Sequence, residues 1–421
     1  PPTPSLPPTA MSVAHPAQNP ATPEPAGGGA PPRPRRGLAE RMSSELRFLP
    51  VALGLLALFL FFATQSDVFL TSRNLNNLLI QSTVTGIIAL GLVFVLLTGS
   101  IDLSVAATSG VAAVLMSKCV VDFGLPIPVA IALGILAGVL IGSASGRWIT
   151  FVGVPSFVVT LGVGLILNGV QLMLLPRTGR YNLLNTGVED IAGTYLTGGA
   201  AWTVVLVAIA LFALLRISHW RGRIREGLAA PLGGQVLLPV AIMAAIVIAI
   251  LLYLQGMKGL PMPVILFGAL LFALSYLAGE TRFGLALYAI GNNEEAARRA
   301  GIKVDRIRIS AFAIAGGMAA VGGILAASRI LGVSVSSGGG VGGGALLLES
   351  IAAAVIGGVS LFGGRGRVVG ALFGALIIAT VSNGLNLMGV ANEARLVVTG
   401  LLLVLAVSLD RGIERFAGSN S

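Results

Sequence analysis

One cysteine (Cys119), two histidines (His15 and His219) and three lysines (Lys118, Lys258 and Lys303) are all that 421 residues hold of these types. A lone cysteine excludes an intrachain disulfide and any thiolate metal site. Both histidines lie outside the long apolar runs, which excludes a histidine metal cluster or a serine-histidine hydrolase pair inside them. No lysine directly follows a glycine and no Gly-x-x-x-x-Gly-Lys-Ser/Thr run occurs, so the chain has no P-loop with which to hydrolyse a nucleotide. Charge is scarce as well, at 10% of residues.

What fills the chain instead is hydrocarbon. Hydrophobic residues make up 55%, in repeated runs of about 20, the length that crosses about 30 Å of lipid. Alternating apolar-polar stretches of about ten residues, the mark of a membrane barrel, do not occur, and lipid admits only helices or closed barrels. The expected fold is an all-α polytopic membrane protein. In such a chain a net charge of +10 points to no nucleic-acid partner, because Lys and Arg report orientation in the bilayer.

Residues 1–47 are a different material, with twelve prolines before residue 35 and Gly27 to Gly29 in a row, and they read as a disordered cytoplasmic tail. Arg33, Arg35, Arg36, Arg41 and Arg47 precede the first apolar run like the positive region of a signal peptide. No small-residue cleavage site closes that run, so a retained anchor is expected.

Helix-length windows give candidate spans near 48–65, 75–98, 103–121, 126–146, 150–175, 201–216, 236–254, 261–278, 309–329, 345–362, 368–388 and 393–409. Small and polar residues dilute 103–121 and 345–362, which makes these candidates for broken or re-entrant helices and sets the expectation at ten to twelve transmembrane helices. With a cytoplasmic N-terminus, 20 of the 27 basic residues fall on the inner side, leaving Arg73, Lys118, Arg177, Arg180, Lys258, Arg329 and Arg395 outside. That asymmetry favours cytoplasmic termini, with 48–410 as the membrane domain and 411–421 as a short C-terminal tail.

Glycine, at 57 residues, often recurs inside spans at small-xxx-small spacing, as in Gly366, Gly370 and Gly374, where close helix packing is expected. The run Gly338 to Gly344 sits at an expected outer end and reads as slack or tight packing, or as a gate. Polar groups at depth are rarer. Asp102 lies in Thr98-Gly-Ser-Ile-Asp-Leu-Ser104 between two apolar spans, and burying its carboxylate mid-membrane costs about 2.5–3.5 kcal/mol. Either it caps the span that begins at Leu103, or it shapes a path together with Ser104. Glu349 poses the same question, with pairing to an arginine as the plainer answer. Asn168, Gln171, Ser382, Asn383 and Asn386 either line a route for a hydroxyl-rich solute or glue helices together.

The exception to the apolar pattern is residues 279–308. This island gathers Glu280, Glu294, Glu295 and Asp305 with Arg282, Arg298, Arg299, Lys303, Arg306 and Arg308. Glu294 and Glu295 near the start of a short helix and Arg298 and Arg299 near its end suit the helix dipole.

Within it, Glu295-Ala-Ala-x-x-x-Gly301 resembles the EAA loop of permease subunits of ATP-binding-cassette importers. The longer stretch Tyr288-Ala-Ile-Gly-Asn-Asn-Glu-Glu-Ala-Ala-Arg-Arg-Ala-Gly-Ile302 is similar to the ribose, xylose and related monosaccharide permeases. Leu97 to Ser104, Pro155 to Gly162, Ile356 to Gly366 and Asn383 to Gly389 match in the same order, so the similarity covers residues 50 to 410. The extra spans near 201–254, with the basic loop Arg216 to Arg225, resemble the longer xylose-type members. Ser100 and Ala106 depart from the pattern, standing where the motif usually has glycine.

The resemblance implies a non-enzymatic subunit of the bacterial inner membrane, paired with a second copy, driven by a cytoplasmic ATPase that uses the ATP, and supplied by a periplasmic sugar-binding protein. The chain itself would bind no cofactor. Asn293, Glu294, Glu295, Ala296, Ala297, Arg298, Arg299 and Gly301 would then carry coupling to the ATPase, and Asp102, Ser104, Asn168, Gln171, Asn383 and Asn386 would shape the path. The competing expectation is a carrier driven by an ion gradient, for which Asp102 and Glu349 are the ionisable candidates. An inert scaffold would leave the charged island unexplained.

Overall fold

A computed structural model describes residues 49–227, 231–256, 258–339 and 345–418. The proline-rich stretch 1–47 and most of the run Gly338 to Gly344 lie outside these residues. Each of the twelve expected windows holds a helix. In chain order these are α1 (Leu49–Gln65), α2 (Ser72–Leu97), α3 (Val105–Val121), α4 (Ile127–Val152) and α5 (Ser156–Leu174). Then follow a four-residue turn α6 (Asp190–Gly193), α7 (Gly198–Arg225), α8 (Leu238–Gln255) and α9 (Met262–Glu280). The island forms α10 (Arg282–Asn292) and α11 (Glu294–Arg299), and the chain continues through α12 (Val304–Ile330), α13 (Ala345–Ile356), α14 (Gly370–Leu387) and α15 (Asn392–Gly418).

Eight of these segments are long and apolar enough to cross a bilayer. Of the two diluted windows, 345–362 is cut short, whereas 103–121 holds an unbroken helix and the non-helical stretch lies ahead of it. Helix α3 starts only at Val105, after a non-helical stretch from Thr98, and α13 has 12 residues, about 18 Å at 1.5 Å per residue. The protein is an all-α polytopic membrane protein. Apolar side chains point outward along its length, as at Leu133, Leu136 and Leu140 on α4 and Leu238, Ile242, Ile246 and Ile250 on α8, which suits hydrocarbon as the surrounding medium.

Helix α2 is the axis of the bundle, with every residue from Ser82 to Leu97 buried. A helix apolar on all sides has to be surrounded, and α12, α14, α13 and α9 pack around it. Helix α12 in turn lies against α4 along Gly138 and Gly142. A Cβ at Gly138 would fall 2.4 Å from the Gly316 carbonyl oxygen, and one at Gly142 would fall 2.1 Å from that of Phe312. Lipid offers no hydrophobic force between helices, so backbone-to-backbone approach through small residues supplies the attraction. Gly370 against the Gly357 backbone and Gly374 against that of Ala353 repeat the device between α14 and α13.

At the end opposite the island, two short antiparallel pairs pin the connections, β1 (Arg180–Asn182) with β4 (Gly332–Ser334) and β2 (Tyr195–Leu196) with β3 (Leu260–Pro261). Tyr181 donates to Asp122 Oδ2 at 2.6 Å, and Lys118 meets the same oxygen at 3.0 Å.

One expectation is corrected. The basic segment Arg216 to Arg225 is no loop, because α7 runs through it to Arg225. Straight-chain and apolar residues continue the helix past the lipid, and Arg223 and Arg225 in its last turn suit the negative end of the dipole.

Candidate functional site

The island is built as a rigid projection. Asn293 caps α11, its Oδ1 accepting from the Ala296 amide at 2.9 Å, as short polar side chains do at helix starts. At the other end the Gly301 amide bonds to the Arg298 carbonyl at 3.0 Å and the Ile302 amide to that of Ala297 at 3.1 Å. That paired closure requires a left-handed residue, and Gly301 supplies it with φ 82°. Ala297 is buried against Ile290 and Val304, which fixes the rotation of α11 about its axis.

This rotation divides the charged residues into two sets. Glu294 turns inward, meeting Arg308 at 2.5 Å and Arg298 at 3.1 Å, while Arg298 also reaches Asp305 at 2.6 Å. The chain Arg308–Glu294–Arg298–Asp305 welds α11 to the first turns of α12. Burial pushes the Glu294 carboxyl up, but the two guanidiniums outweigh it and hold the group below the usual carboxylate range. Among the described residues Glu295 and Arg299 pair only with each other; they are 75% and 77% exposed and share the outer face with exposed Ala296. Of the eight island residues singled out by sequence, Asn293, Glu294, Ala297, Arg298 and Gly301 build the projection. Glu295, Ala296 and Arg299 are its surface.

The projection bears on the bundle through α10. Gly291 packs so closely that a Cβ there would lie 2.0 Å from the Leu97 carbonyl oxygen and 2.2 Å from the Gly364 nitrogen. The Gly364 amide donates to Leu97 O at 3.0 Å, the Tyr288 hydroxyl to Gly366 O at 2.9 Å, and Phe94 stacks on Phe283 with ring centroids 6.3 Å apart. The turn 360–366 is thus wedged between α10 and the end of α2, where the helix breaks. Sequence reading passed over Tyr288, Gly291 and Gly364 as site residues. The glycine pair Gly363-Gly364 was the available signal.

The break that follows carries Asp102. It is buried, and its Oδ1 accepts from the Ser104 amide at 2.8 Å and the Ser104 hydroxyl at 2.6 Å, with α3 starting at the next residue. Helix α5 braces the same stretch: the Ile101 amide donates to Ser156 Oγ and the Leu103 amide to Thr160 Oγ1, both at 3.0 Å. Asp102 therefore closes a local turn on Ser104, three residues ahead of the first residue of α3.

Farther along α5, Gln171 is 1% exposed and donates to the Ser334 and Ser337 carbonyls, both at 3.0 Å, while its Oε1 has no partner among the described residues. One turn away, Asn168 Oδ1 is likewise unpartnered. Gln171 holds the turn 334–339 down into the bundle, where Gly338 meets the α3 backbone at Gly110 and Ala106. Beside that turn lies a cavity of about 260 Å³ lined by Ser109, Gly110, Ser336, Ser337, Gly338 and Glu349, among others. None of the six sequence-selected path residues lines it. They fall in two places. Asp102, Ser104, Asn168 and Gln171 follow the α3–α5 seam, whereas Asn383 on α14 bonds Asn74 on α2 and Asn386 meets Arg395 at 3.4 Å.

The chain from residue 74 to 407 matches the family model described as branched-chain amino acid transport system / permease component. It is 36% identical over 306 residues to the xylose transport system permease protein XylH of Escherichia coli (strain K12), which covers 72% of this chain and 77% of the relative. Identity to XylH of Haemophilus influenzae is 33% over 306 residues, covering 70% and 79%. The ribose import permease protein RbsC of Escherichia coli (strain K12) is 30% identical over 292 residues, covering 68% and 71%. No solved structure matches the chain. With four-fifths of its length matched by one permease model and a membrane bundle to go with it, the chain belongs to the branched-chain amino acid transport system permease component family.

Proposed function

We propose that this chain forms the membrane pathway of an ATP-driven monosaccharide importer of the xylose type, in the inner membrane of a bacterium with both termini in the cytoplasm. The observation that carries this reading is the construction of α11. A six-residue helix capped at both ends, anchored by Ala297 and welded by Glu294 and Arg298, offers Glu295, Ala296 and Arg299 outward as a docking face. A separate cytoplasmic ATPase binds that face, a periplasmic protein delivers the sugar, and two copies of the permease enclose the route. The chain holds no nucleotide or cofactor of its own.

Displacement of α11 passes through Gly291 and the turn 360–366 to Leu97, and so to the broken segment with Asp102 and Ser104. Similarity to the XylH proteins supports the sugar class, and similarity to RbsC keeps it at monosaccharides.

A second reading, an ion-coupled carrier, draws on Glu349 at the wall of the 260 Å³ cavity. Uptake of labelled xylose by cells treated with a protonophore while ATP is held constant separates the two. The importer reading expects uptake to continue, and abolished uptake would favour the carrier.

A further inference from the structure

Helices α7 and α9 both end on the island side, and their last turns enclose a groove of about 450 Å³ that the transport reading leaves unused. Its walls are Leu215, Ser218, His219, Gly222, Arg223 and Glu226 from the α7 side, with Tyr276 and Glu280 from α9. Two independent lengths place it at the edge of the hydrocarbon. Helix α9, at 19 residues, is about 28 Å long and so just spans the bilayer core, which puts Tyr276 and Glu280 at its boundary. Helix α7, at 28 residues, is about 42 Å long, so its last turns overshoot the core. One turn below the groove residue Leu215, Leu211 continues its side of α7 as an exposed apolar residue, with exposed Leu214 beside it. Tyrosine at this depth is the amphipathic side chain that membrane interfaces favour.

The charges in the groove are mixed. His219 Nε2 and Glu280 Oε2 bridge the two helices at 3.2 Å. Arg223 and Glu226, three residues apart, make no ion pair among the described residues, although that spacing allows one. Arg223, which has no ion pair among the described residues, therefore faces one opening with the carboxylates of Glu226 and of His219-bonded Glu280, beside a lipid-facing wall. Inside the groove an anionic headgroup has no cationic donor to offer Glu226 and Glu280, and a trimethylated one has no N–H to give them. The ligand that matches both signs is a zwitterion with a phosphate for Arg223 and an N–H-bearing ammonium for the carboxylates.

We propose that this groove binds the headgroup of a phosphatidylethanolamine-class lipid, phosphate toward Arg223 and ammonium toward Glu226 and Glu280, with its acyl chains along the exposed face of α7. Glu280 immediately precedes Thr281, whose side chain caps α10. Headgroup occupancy thereby ties the α7–α8 hairpin to the element that bears α11.

The test uses the full chain purified with native lipid, then exchanged into mixed micelles with equimolar phosphatidylethanolamine, its N-monomethyl form, phosphatidylcholine and phosphatidylglycerol, with retained lipid read by native mass spectrometry. Retention should fall along the methylation series, with the ethanolamine lipid held at least about fivefold over choline, and Glu226→Gln with Glu280→Gln should erase that preference. Arg223→Gln should release both zwitterionic lipids. Equal retention of ethanolamine and choline lipids by the wild type, best retention of phosphatidylglycerol, or a preference that survives the double glutamine variant would each overturn the assignment. The methylation series on the wild type decides the matter even if a variant fails to fold.

Discussion

Asn74 and Asn383 exchange a reciprocal pair of hydrogen bonds, Nδ2 to Oδ1 in each direction at 2.9 Å, joining the first turn of α2 to the last turns of α14. Both amides are buried, and Asn74 Nδ2 also reaches the Phe69 carbonyl at 2.9 Å. Asn383 is thus committed to its neighbour. Interhelical polar bonds in membranes are worth about 0.6 kcal/mol on average and about 1.7 at most, so Asn383→Ala should destabilise the bundle by about 1–2 kcal/mol. A double-mutant cycle with Asn74→Ala, read by thermal unfolding in detergent, should return a positive coupling energy; additive effects would mean the pair contributes nothing. Substrate preference should not change.

Glu294 gives a pH dependence with a definite sign. Its folded carboxyl sits below the ordinary value because Arg308 and Arg298 outweigh its burial. A depressed folded pKa adds stability that is complete above the unfolded value, near pH 4.3, and is lost as pH falls through the folded value. At pH 7, Glu294→Gln should cost about 1 kcal/mol, kept small because the site is partly exposed. Unfolding curves of wild type and variant should converge as pH drops below about 4. A gap that stays constant to pH 3 would remove the carboxylate from the account.

Gly291 tests the mechanical path. A methyl group there would meet the Leu97 carbonyl oxygen and the Gly364 nitrogen, so Gly291→Ala must push α10 away from the broken segment. Overpacking of this kind costs about 1–3 kcal/mol. In proteoliposomes with the ATPase, ATP hydrolysis should continue while sugar transport falls by tenfold or so, about 1.4 kcal/mol in barrier terms. Proportional loss of both activities would place Gly291 in stability alone.

The fold was legible wherever one residue type carries one physical meaning. Each of the twelve windows holds a helix because an apolar run in lipid has to satisfy its backbone within itself, although only eight of the described helices are long and apolar enough to cross a bilayer. The early end of α13 was visible as dilution of 345–362, where Gly357 and Gly358 follow Ile356, whereas the dilution of 103–121 marked a helix that is unbroken from Val105 to Val121. What sequence could not show is rotation. Glu294 and Glu295 look alike in a string, yet Ala297 in its small apolar cluster turns one inward to Arg308 and leaves the other in solvent. Likewise Asn383 offers the same amide whether it faces a path or Asn74, and only the packing of α14 on α2 decides. The helical state of 216–225 was hidden because a run of arginines reads as a solvated loop, when it is an α7 long enough to leave the membrane.

The central claim is that the exposed face of α11 receives an ATPase. Affinity purification of the tagged chain from native membranes in mild detergent, with bound proteins identified by mass spectrometry, tests it most directly. The account predicts that a cytoplasmic ATPase of the binding-cassette type is recovered with the wild type and lost with Glu295→Arg, while the variant keeps wild-type yield and unfolding temperature because Glu295, three-quarters exposed, pairs among the described residues only with Arg299 on the surface. Equal recovery with the variant, or no ATPase at all where a control importer stays assembled, would contradict it.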